Sequence, residues 1–542
     1  MGTNIIVTAI VVVYLLFMLW IGWYSSTKIT NNTDFMVAGR RLGPVLMAGT
    51  LAATEIGGGS SLGVVQNGMS GYGLSAAWYI ITMGIAFVIL SFVAPKFRAA
   101  TVKTVPEYFR RRYGKECGLI TAIIMLLPLI GVTAGQFIAS AVVLSTMLNI
   151  DYQVAVIIVA VVVTVYSIMG GLWSVTLTDF VQVFLIVIGM IIAVPFAMNY
   201  AGGWGNVAAN VPEGTMNLFQ GYSPFGVISL VIMYVATFSV GQEAVSRFYA
   251  AKDEKAAKGG AWLAALVNFI YAFIPTILGI ITLALINMGK FSSDQFASVG
   301  ARYALPVLAM NTMPALICGL LFAGIISATM SSSDSDLLGA GSIFANDIYK
   351  AVLKPDASSE SVMKVTKIVM CLVGVCSMFI ALFNTQSIVT ILMFCFTLRA
   401  AGSFFPYVMG HYWKKASTAG TIASLIAGTI VVVYLEHVSK GVLFGIKFSQ
   451  SIIPGLVAAF IAFIVFSKLM PPGGRPAPHL HGHKGRYRHR AHGRPCRRHR
   501  GDHPPPRHRP QGRRPGGQPG HPDGPESPQD DPGRPRRPGR GG

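Results

Sequence analysis

Hydroxyl and carboxylate side chains cluster inside a long apolar stretch, in the segment AGIISATMSSSDSD at residues 323–336. Four positions spaced i, i+3, i+4 and i+7 share one face of a helix: Ala328, Ser331, Ser332 and Ser335. Lipid offers no hydrogen-bond partners, so such hydroxyls need partners inside a helix bundle. Clustered hydroxyls and carboxylates could supply oxygen ligands to a hard cation. The alternative is that serine and alanine only let two helices approach closely.

A second polar signal interrupts the apolar segment PVLMAGTLAATEIGGGSSLGVVQNG at residues 44–68. Gly57, Gly58 and Gly59 follow one another, and each costs about 1 kcal/mol against alanine in a helix. Glu55, two positions earlier, is an ionisable side chain at membrane depth, which is costly and usually functional. Together they predict an unwound segment whose free carbonyl groups face a cavity.

A counterpart occurs later, at FSVGQE from Phe238 to Glu243, where polar residues and a glycine again interrupt an apolar run. Discontinuous helices in corresponding positions of two halves point to the binding site of a transporter. A kink that serves only packing remains an equal alternative for this segment.

Composition places the chain among polytopic membrane proteins. Of its 542 residues, 53% are hydrophobic and only 12% are charged. The formal charge of +21 comes mostly from residues 475–540, so it does not indicate a nucleic-acid partner. No nucleophile–base or metal-ligand pattern appears before that region, and an enzyme is therefore not expected.

Apolar runs long enough to cross a bilayer predict an all-α protein with about 13 transmembrane helices. Their expected extents are 4–24, 44–67, 73–95, 118–147, 152–170, 177–200, 224–247, 261–287, 314–347, 363–384, 388–411, 417–436 and 450–470. Lys and Arg concentrate in alternate loops, which predicts an outside N-terminus and a cytoplasmic C-terminus in the plasma or inner membrane. The Pro-, Gly-, Arg- and His-rich tail, 471–542, cannot bury a core and is expected to be disordered. Its abrupt change in composition also resembles translation in an unintended reading frame.

Several segments in order along residues 1–470 resemble the sodium:solute symporter family, which includes sodium/proline, sodium/glucose, sialic-acid and pantothenate transporters. The matching segments are DFMVAGRRLGP at Asp34–Pro44, TVPEYFRRRYG at Thr104–Gly114, YSIMGGLWSVTLTDFVQ at Tyr166–Gln182, GQEAVSRFYAAKDEKAAKGG at Gly241–Gly260, FANDIYK at Phe344–Lys350 and WKKASTAGTIASLIAG at Trp413–Gly428. The resemblance implies a leucine-transporter-like fold. That fold has two inverted five-helix repeats, here about 44–200 and 224–411. The resemblance also implies a protein that functions as a monomer.

The resemblance also implies sodium as the coupling ion. One ion would lie between the unwound second span and the ninth span. Its ligands would be carbonyl groups and hydroxyls of Ala53, Ile56, Ala328, Ser331 and Ser332. The three ninth-span residues are also among those that helical spacing places on one face.

Some members of the family have a second sodium site, formed by a carboxylate early in the sixth span and serines of the ninth. Asp179 and Ser335 match those positions, and Asp334 stands where such members carry a serine. A candidate second site at these three residues would therefore be altered or more acidic. For Asp179 the alternative is that a carboxylate at a helix N-terminus stabilises the helix on its own.

Substrate contacts are expected from the two interrupted helices, through Glu55, Gly57, Ser60, Ser239 and Gln242. The proline members carry Asp where Glu55 stands, and the sugar members carry Asn. An amino acid or a small carboxylate is therefore favoured over a sugar. Arg399 in the eleventh span is either buried or at a helix end. If buried, it could bind a substrate carboxylate or pair with Glu55.

The function expected from these features is sodium-coupled uptake of a small organic solute by alternating access. A bound cation and a solute that favour the same arrangement of helices would couple reciprocally. Proton coupling through Glu55 or Asp179 is the closer alternative. An uncoupled channel or a transporter-like sensor is the alternative from another class.

Overall fold

Helices make up almost the whole of the part of the chain that the structure describes, and the bounds of these helices decide where the site can form. The computed structural model describes residues 5–27, 36–292, 296, 300–384, 386–443, 446–448 and 450–472. The tail expected at 471–542 therefore lies outside the described residues beyond residue 472. The first residues of the segment Asp34–Pro44 also lie outside them.

The helices of the first half are α1 (Ile5–Ser26), α2 (Pro44–Glu55), α3 (Trp78–Ala99), α4 (Val105–Tyr113), α5 (Lys115–Leu148), α6 (Tyr152–Ala201) and α7 (Trp204–Ala209). Those of the second half are α8 (Pro224–Val240), α9 (Gln242–Ala250), α10 (Glu254–Tyr271), α11 (Phe273–Asn287), α12 (Ala304–Thr312), α13 (Ala315–Ile343), α14 (Ser359–Phe383), α15 (Ile388–Gly410), α16 (Thr418–Val433) and α17 (Ile452–Leu469). A short antiparallel hairpin joins β1 (Val442–Leu443) to β2 (Ile446–Lys447). Shorter π and 3₁₀ segments lie at Ala38–Arg40, Gly59–Gly63, Gly68–Tyr72, Gly73–Ala77, Ala301–Tyr303, Phe344–Leu353 and Tyr434–Val438, with one α-turn at Val64–Asn67.

Within the described residues, ten helices are long and apolar enough to cross a membrane, or eleven when the bent pair α8 and α9 counts as one span. The apolar stretch Ile5–Ile21 of α1 is shorter than these ten. Two expected spans, 44–67 and 73–95, fall on α2 and on the continuous stretch Gly59–Ala99. The chain is thus a mostly helical, multi-pass membrane protein, while the count of thirteen and the inverted repeat remain predictions.

Helix starts follow from local sequence. At six helices a hydroxyl or carboxylate accepts a hydrogen bond from a backbone N–H three positions later, which satisfies one of the free donors of the first turn. These capping residues are Thr104, Ser223, Asp253, Ser358, Ser387 and Ser417. In α6 a glycine marks the boundary between the two expected spans, because Gly171 has a φ of 53°, which favours glycine.

Helix α13 is enclosed by other helices, and every residue from Leu321 to Ile343 is buried. It packs against α1, α5, α6 and α14. Glycines permit these close approaches, as in other membrane bundles. A Cβ atom at Gly324 would lie 3.1 Å from Cα of Ile186 in α6, and one at Gly341 would lie 2.7 Å from the Thr366 carbonyl oxygen in α14. The serine segment of α13 therefore faces protein on all sides.

Candidate sodium and solute site

The break after α2 lies where the glycine triplet is. Helix α2 ends at Glu55, and Ile56 leaves the helical conformation with φ −82° and ψ 71°. Close neighbours explain the need for glycine. A Cβ at Gly57 would lie 2.7 Å from Oγ of Ser332, and one at Gly58 would lie 2.4 Å from Cβ of Ala139. The backbone at the break thus approaches α13 and α5 more closely than any side chain would allow.

The break leaves backbone oxygens without hydrogen bonds. Hydrogen bonds near it go to the carbonyl oxygens of Ala52, Thr54, Glu55 and Gly57. Among the described residues, none goes to the carbonyl oxygens of Ala53 or Ile56, the two that the family resemblance assigns to sodium. Free carbonyl oxygens in a buried break are suited to a hard monovalent cation.

Ser332 joins α13 to this break. Its hydroxyl donates to the Thr54 carbonyl oxygen at 2.9 Å, or to the Ala328 carbonyl oxygen of its own helix at 3.1 Å. The contact connects positions 278 residues apart, and both side chains are buried. The structure therefore brings Ser332 and Ala328 to the end of α2, which contains Ala53, and to the break at Ile56.

Ser331 instead contacts Asp179 of α6, which lies at the centre of a second buried polar cluster. The Asp179 carboxylate accepts hydrogen bonds from the hydroxyls of Ser331 and Thr50. Its ion-pair partner is Arg247 of α9, with Nη2 3.3 Å from Oδ2. The same Nη2 donates to Oγ of Ser335 at 2.5 Å. A guanidinium thus contacts both Asp179 and Ser335, two of the three residues of the candidate second ion site.

The third residue of that candidate site makes a different contact. Asp334 accepts a hydrogen bond from the Ser167 hydroxyl in the first half of α6. Arg247 also contacts Thr50 of α2 through Nε at 3.2 Å and the Glu243 carbonyl oxygen through Nη1 at 2.6 Å. Its guanidinium therefore links α2, α6, α9 and α13.

A small buried cavity lies between the two broken spans, next to Ser332. Its volume is about 20 Å³, enough for roughly one water molecule. It is lined by residues of α2, α3, α5, α9, α13, α15 and the break: Thr54, Glu55, Gly59, Ser60, Tyr79, Met83, Val132, Gln136, Glu243, Ser332, Asp336, Leu392 and Phe396. An organic solute needs more room, so it can enter only if the surrounding helices move apart.

Three carboxylates line this cavity, and only one of them has a basic partner in the described chain. Glu243 forms an ion pair with Arg399, whose Nη2 lies 2.5 Å from Oε1. Arg399 also donates from Nε to Oγ1 of Thr237 at 2.6 Å. Within the described part, Glu55 Oε1 and Asp336 Oδ2 have no hydrogen-bond partner. Such groups are costly inside a membrane protein and usually bind something.

The residues expected to contact substrate separate into two groups. Glu55 and Ser60 line the cavity, and Gly57 packs against Ser332 at its edge. Ser239 bonds the Val235 carbonyl oxygen of its own helix at 2.6 Å. Gln242 uses both ends of its amide to hold the loop before α4: it donates to the Lys103 carbonyl oxygen at 3.0 Å and accepts from the Val105 N–H at 2.9 Å. Ser239, Gln242 and Arg399 do not line the cavity, and Arg399 pairs with Glu243 rather than with Glu55.

The second interruption is a sharp bend. The axes of α8 and α9 differ by 57°, and the bend is at Gly241, which has φ −63° and ψ 119°. A Cβ at Gly241 would lie 2.6 Å from Oε1 of Glu243 and 2.8 Å from Nη2 of Arg399. The glycine thus makes room for this ion pair.

Four residues that lie at or beside the site are not among those predicted from the sequence: Tyr79, Gln136, Arg247 and Asp336. Gln136 accepts a hydrogen bond from the Gly58 N–H at 2.7 Å and so holds the break against α5. Two of the four could have been found from the sequence. Gln136 is the one glutamine in an apolar helix of 34 residues, and Asp336 is the second carboxylate of the DSD sequence. No local sequence pattern marks Tyr79 or Arg247 as a site residue, because the contacts that matter are with residues distant in sequence.

Known proteins similar to this chain are named as transporters. The Osmoregulated proline transporter OpuE of Bacillus subtilis is 25% identical over 87% of this chain and 96% of its own length. A Sodium/proline symporter of Staphylococcus aureus is 27% identical over 86% of this chain and 93% of its own.

Two solved structures share the fold. One is a Na⁺-coupled sialic acid symporter in a substrate-bound outward-open state, with a TM-score of 0.74 and 22% identity over 87% of this chain and 99% of that one. The other is Mhp1, a nucleobase-cation-symport-1 family transporter in a closed conformation, with a TM-score of 0.51 and 12% identity over 81% and 96% of the two chains.

The family model of the sodium:solute symporters matches residues 35–428. That match includes both broken spans, the serine face of α13 and every residue that lines the cavity. Members of this family are transporters coupled to sodium, not enzymes. The chain belongs to the sodium:solute symporter family.

Proposed function

We propose that this protein takes up a small organic solute together with sodium, by alternating access across the membrane. The observation that carries the proposal is the contact of the Ser332 hydroxyl with the Thr54 carbonyl oxygen, 2.9 Å away at the break after α2. It joins a helix of the second half of the chain to an interrupted helix of the first half. A cation bound there would hold the two helices in one relative position.

The free carbonyl oxygens of Ala53 and Ile56, the Ala328 carbonyl oxygen and the Ser332 hydroxyl supply the oxygen ligands that such a cation needs. Ser331 completes the family's ligand set if its hydroxyl turns from Asp179. A second ion between Asp179 and Ser335 has less support, because the Arg247 guanidinium already contacts both.

Sodium binding and solute binding are coupled because the ion site and the solute cavity share residues. Ser332 belongs both to the ion site and to the lining of the cavity, and Thr54, which its hydroxyl contacts, also lines the cavity. Each ligand therefore favours the arrangement that the other needs. Membrane potential contributes about 2.3 kcal/mol per charge per 100 mV. Uptake is therefore driven by voltage as well as by the sodium gradient.

The relatives suggest the class of solute. Two of them are named as proline transporters, which favours an amino acid over a sugar. The cavity lining also lacks a basic side chain within the described residues, and Arg399 is engaged by Glu243. A small carboxylate without an amine thus has less support than an amino acid.

Uptake into proteoliposomes tests the function. The purified full chain is reconstituted with potassium inside and sodium outside. Amino acids, carboxylates and sugars are then screened with an imposed sodium gradient, an imposed proton gradient and neither. Accumulation that requires sodium and increases with an inside-negative potential is expected. Accumulation driven by the proton gradient alone would favour the proton-coupled alternative, and equilibration without any gradient would favour a channel.

Replacing Ser332 by alanine should weaken sodium binding by about 5- to 30-fold, because one oxygen ligand and one buried hydrogen bond of about 1–2 kcal/mol are lost. The measurement is the sodium concentration that gives half-maximal uptake. Ser333→Ala is the matched control, since among the described residues the Ser333 hydroxyl bonds only the Thr329 carbonyl oxygen of its own helix, at 2.8 Å. Unchanged sodium affinity in Ser332→Ala would show that the site is elsewhere.

A further inference from the structure

Around the cavity, buried carboxyl groups outnumber the basic side chains of the described residues. Glu55, Glu243 and Asp336 line the cavity, and Asp179 is joined to it through Ser331 of α13. A fifth buried carboxylate, Asp334, does not line the cavity and contacts Ser167 of α6. Two guanidiniums accompany them, and each is already paired: Arg247 with Asp179 and Arg399 with Glu243. Two carboxylates are therefore left over.

These two, Glu55 and Asp336, are well buried, with exposed fractions of 8% and 1%. Both line the cavity, and in the described part of the chain Glu55 Oε1 and Asp336 Oδ2 have no hydrogen-bond partner. Unpaired carboxylates at such depth are retained where they bind a positively charged ligand or ion. The sodium ion at the neighbouring break supplies one positive charge. When both carboxylates are ionised, one negative charge then remains for the solute.

The other lining residues fit an organic cation better than a second inorganic ion. Across the described residues, no group of three or more His, Cys, Asp or Glu side chains is placed to hold a metal ion. Two aromatic rings, Tyr79 and Phe396, also line the cavity. Ring faces attract ammonium and guanidinium groups, and Arg399 already lies 4.8 Å from the centroid of Phe396.

From these contacts we propose that the transported solute carries a net positive charge on a protonated amine, which Asp336 and Glu55 bind. The inference rests on the proposed function and narrows its substrate class. Sodium plus an organic monocation would neutralise the two unpaired carboxylates. A zwitterion would leave one carboxylate uncompensated, and an anion would add a further negative charge.

Matched solutes that differ in charge test the proposal. L-proline, L-prolinamide and N-acetyl-L-proline share a ring and have net charges of 0, +1 and −1, and the three corresponding alanine compounds form a second set. Lysine adds a natural amino acid of net charge +1. Binding to the full chain is followed by thermal stabilisation in sodium chloride and in potassium chloride, and uptake is measured in proteoliposomes.

The cations should bind at least about tenfold more tightly than their zwitterions, and only in sodium. Asp336→Asn should reverse the order, with prolinamide weakened at least about tenfold and proline unchanged or strengthened. Glu360→Gln, which removes an exposed carboxylate that does not line the cavity, should leave the order unchanged. Preference for the zwitterions or anions, binding of none of the cations, or an unchanged order in Asp336→Asn would each overturn the proposal.

The same experiment distinguishes failure of this inference from failure of the proposed function. Sodium-driven uptake of proline but not of prolinamide would overturn the charge assignment and leave sodium-coupled transport in place. Uptake of prolinamide driven by a proton gradient and indifferent to sodium would overturn the proposed coupling ion. It would then assign a proton to one of the two carboxylates.

Discussion

Gly57→Ala is expected to abolish most sodium-driven uptake while the protein still inserts and folds. The added methyl group would lie 2.7 Å from Oγ of Ser332 and 2.8 Å from Oε1 of Gln136. Both neighbours are held in place: Ser332 donates to the Thr54 carbonyl oxygen, and Gln136 accepts from the Gly58 N–H at 2.7 Å. Relief of the clash therefore breaks the contacts that shape the ion site.

Overpacking of this kind costs about 2 kcal/mol, or about 30-fold in ion affinity. The measurement is the sodium dependence of uptake, with elution as a single monodisperse species as the check on folding. Gly43→Ala is the control, because a Cβ at Gly43, just before α2, meets no atom of the described residues within 4 Å. Normal sodium dependence in Gly57→Ala would mean that the break is not part of the ion site.

Loss of Arg247 should cause the largest fall in stability. Arg247 and Asp179 are 1% and 0% exposed, so Arg247→Met leaves a buried carboxylate without its counter-charge. Removing one partner of a buried ion pair costs about 3–5 kcal/mol. The expected result is a clearly lower melting temperature in detergent, with partial recovery in Arg247→Met/Asp179→Asn, where both charges are gone.

An exposed ion pair provides the contrast. Lys364 and Glu360 form an i, i+4 pair on α14 with both side chains 72% exposed, and Lys364→Met should leave the melting temperature unchanged. Added sodium gives a second measurement. If Arg247 takes the place of an ion beside Asp179, sodium should stabilise Arg247→Met more than it stabilises the unmodified protein. A melting temperature for Arg247→Met equal to that of the unmodified protein would contradict the structural role assigned to this pair.

Features that depend on neighbours in sequence could be predicted from the sequence. Consecutive glycines beside Glu55 weaken a helix wherever it lies, and the structure has its break at Ile56. The shared face of Ala328 and Ser332 follows from helical spacing alone. The interruption at Gly241 was equally visible, and it is a bend of 57°.

Pairings across the bundle could not be predicted in the same way. Arg247 and Asp179 are 68 positions apart, and any of several carboxylates could have been its partner. Arg399 could have been buried or at a helix end, and if buried it was expected to bind a solute carboxylate or Glu55. It is buried, and the bend at Gly241 brings Glu243 to it. Gln242 appeared to be a substrate ligand because it lies in a broken helix, yet its amide holds the loop at Lys103. The direction of a side chain at a helix break depends on tertiary packing, which cannot be predicted from neighbouring residues in the sequence.

The end of α2 at Glu55, inside the bundle, has a consequence for how the protein attracts cations. The aligned peptide dipoles of a helix place roughly half a negative elementary charge at its carboxyl end. At α2 that end points into the break, beside the free carbonyl oxygens of Ala53 and Ile56. This part of the attraction belongs to peptide bonds and not to side chains. Substitutions that change the solute can therefore accumulate around the cavity while the backbone continues to favour a cation.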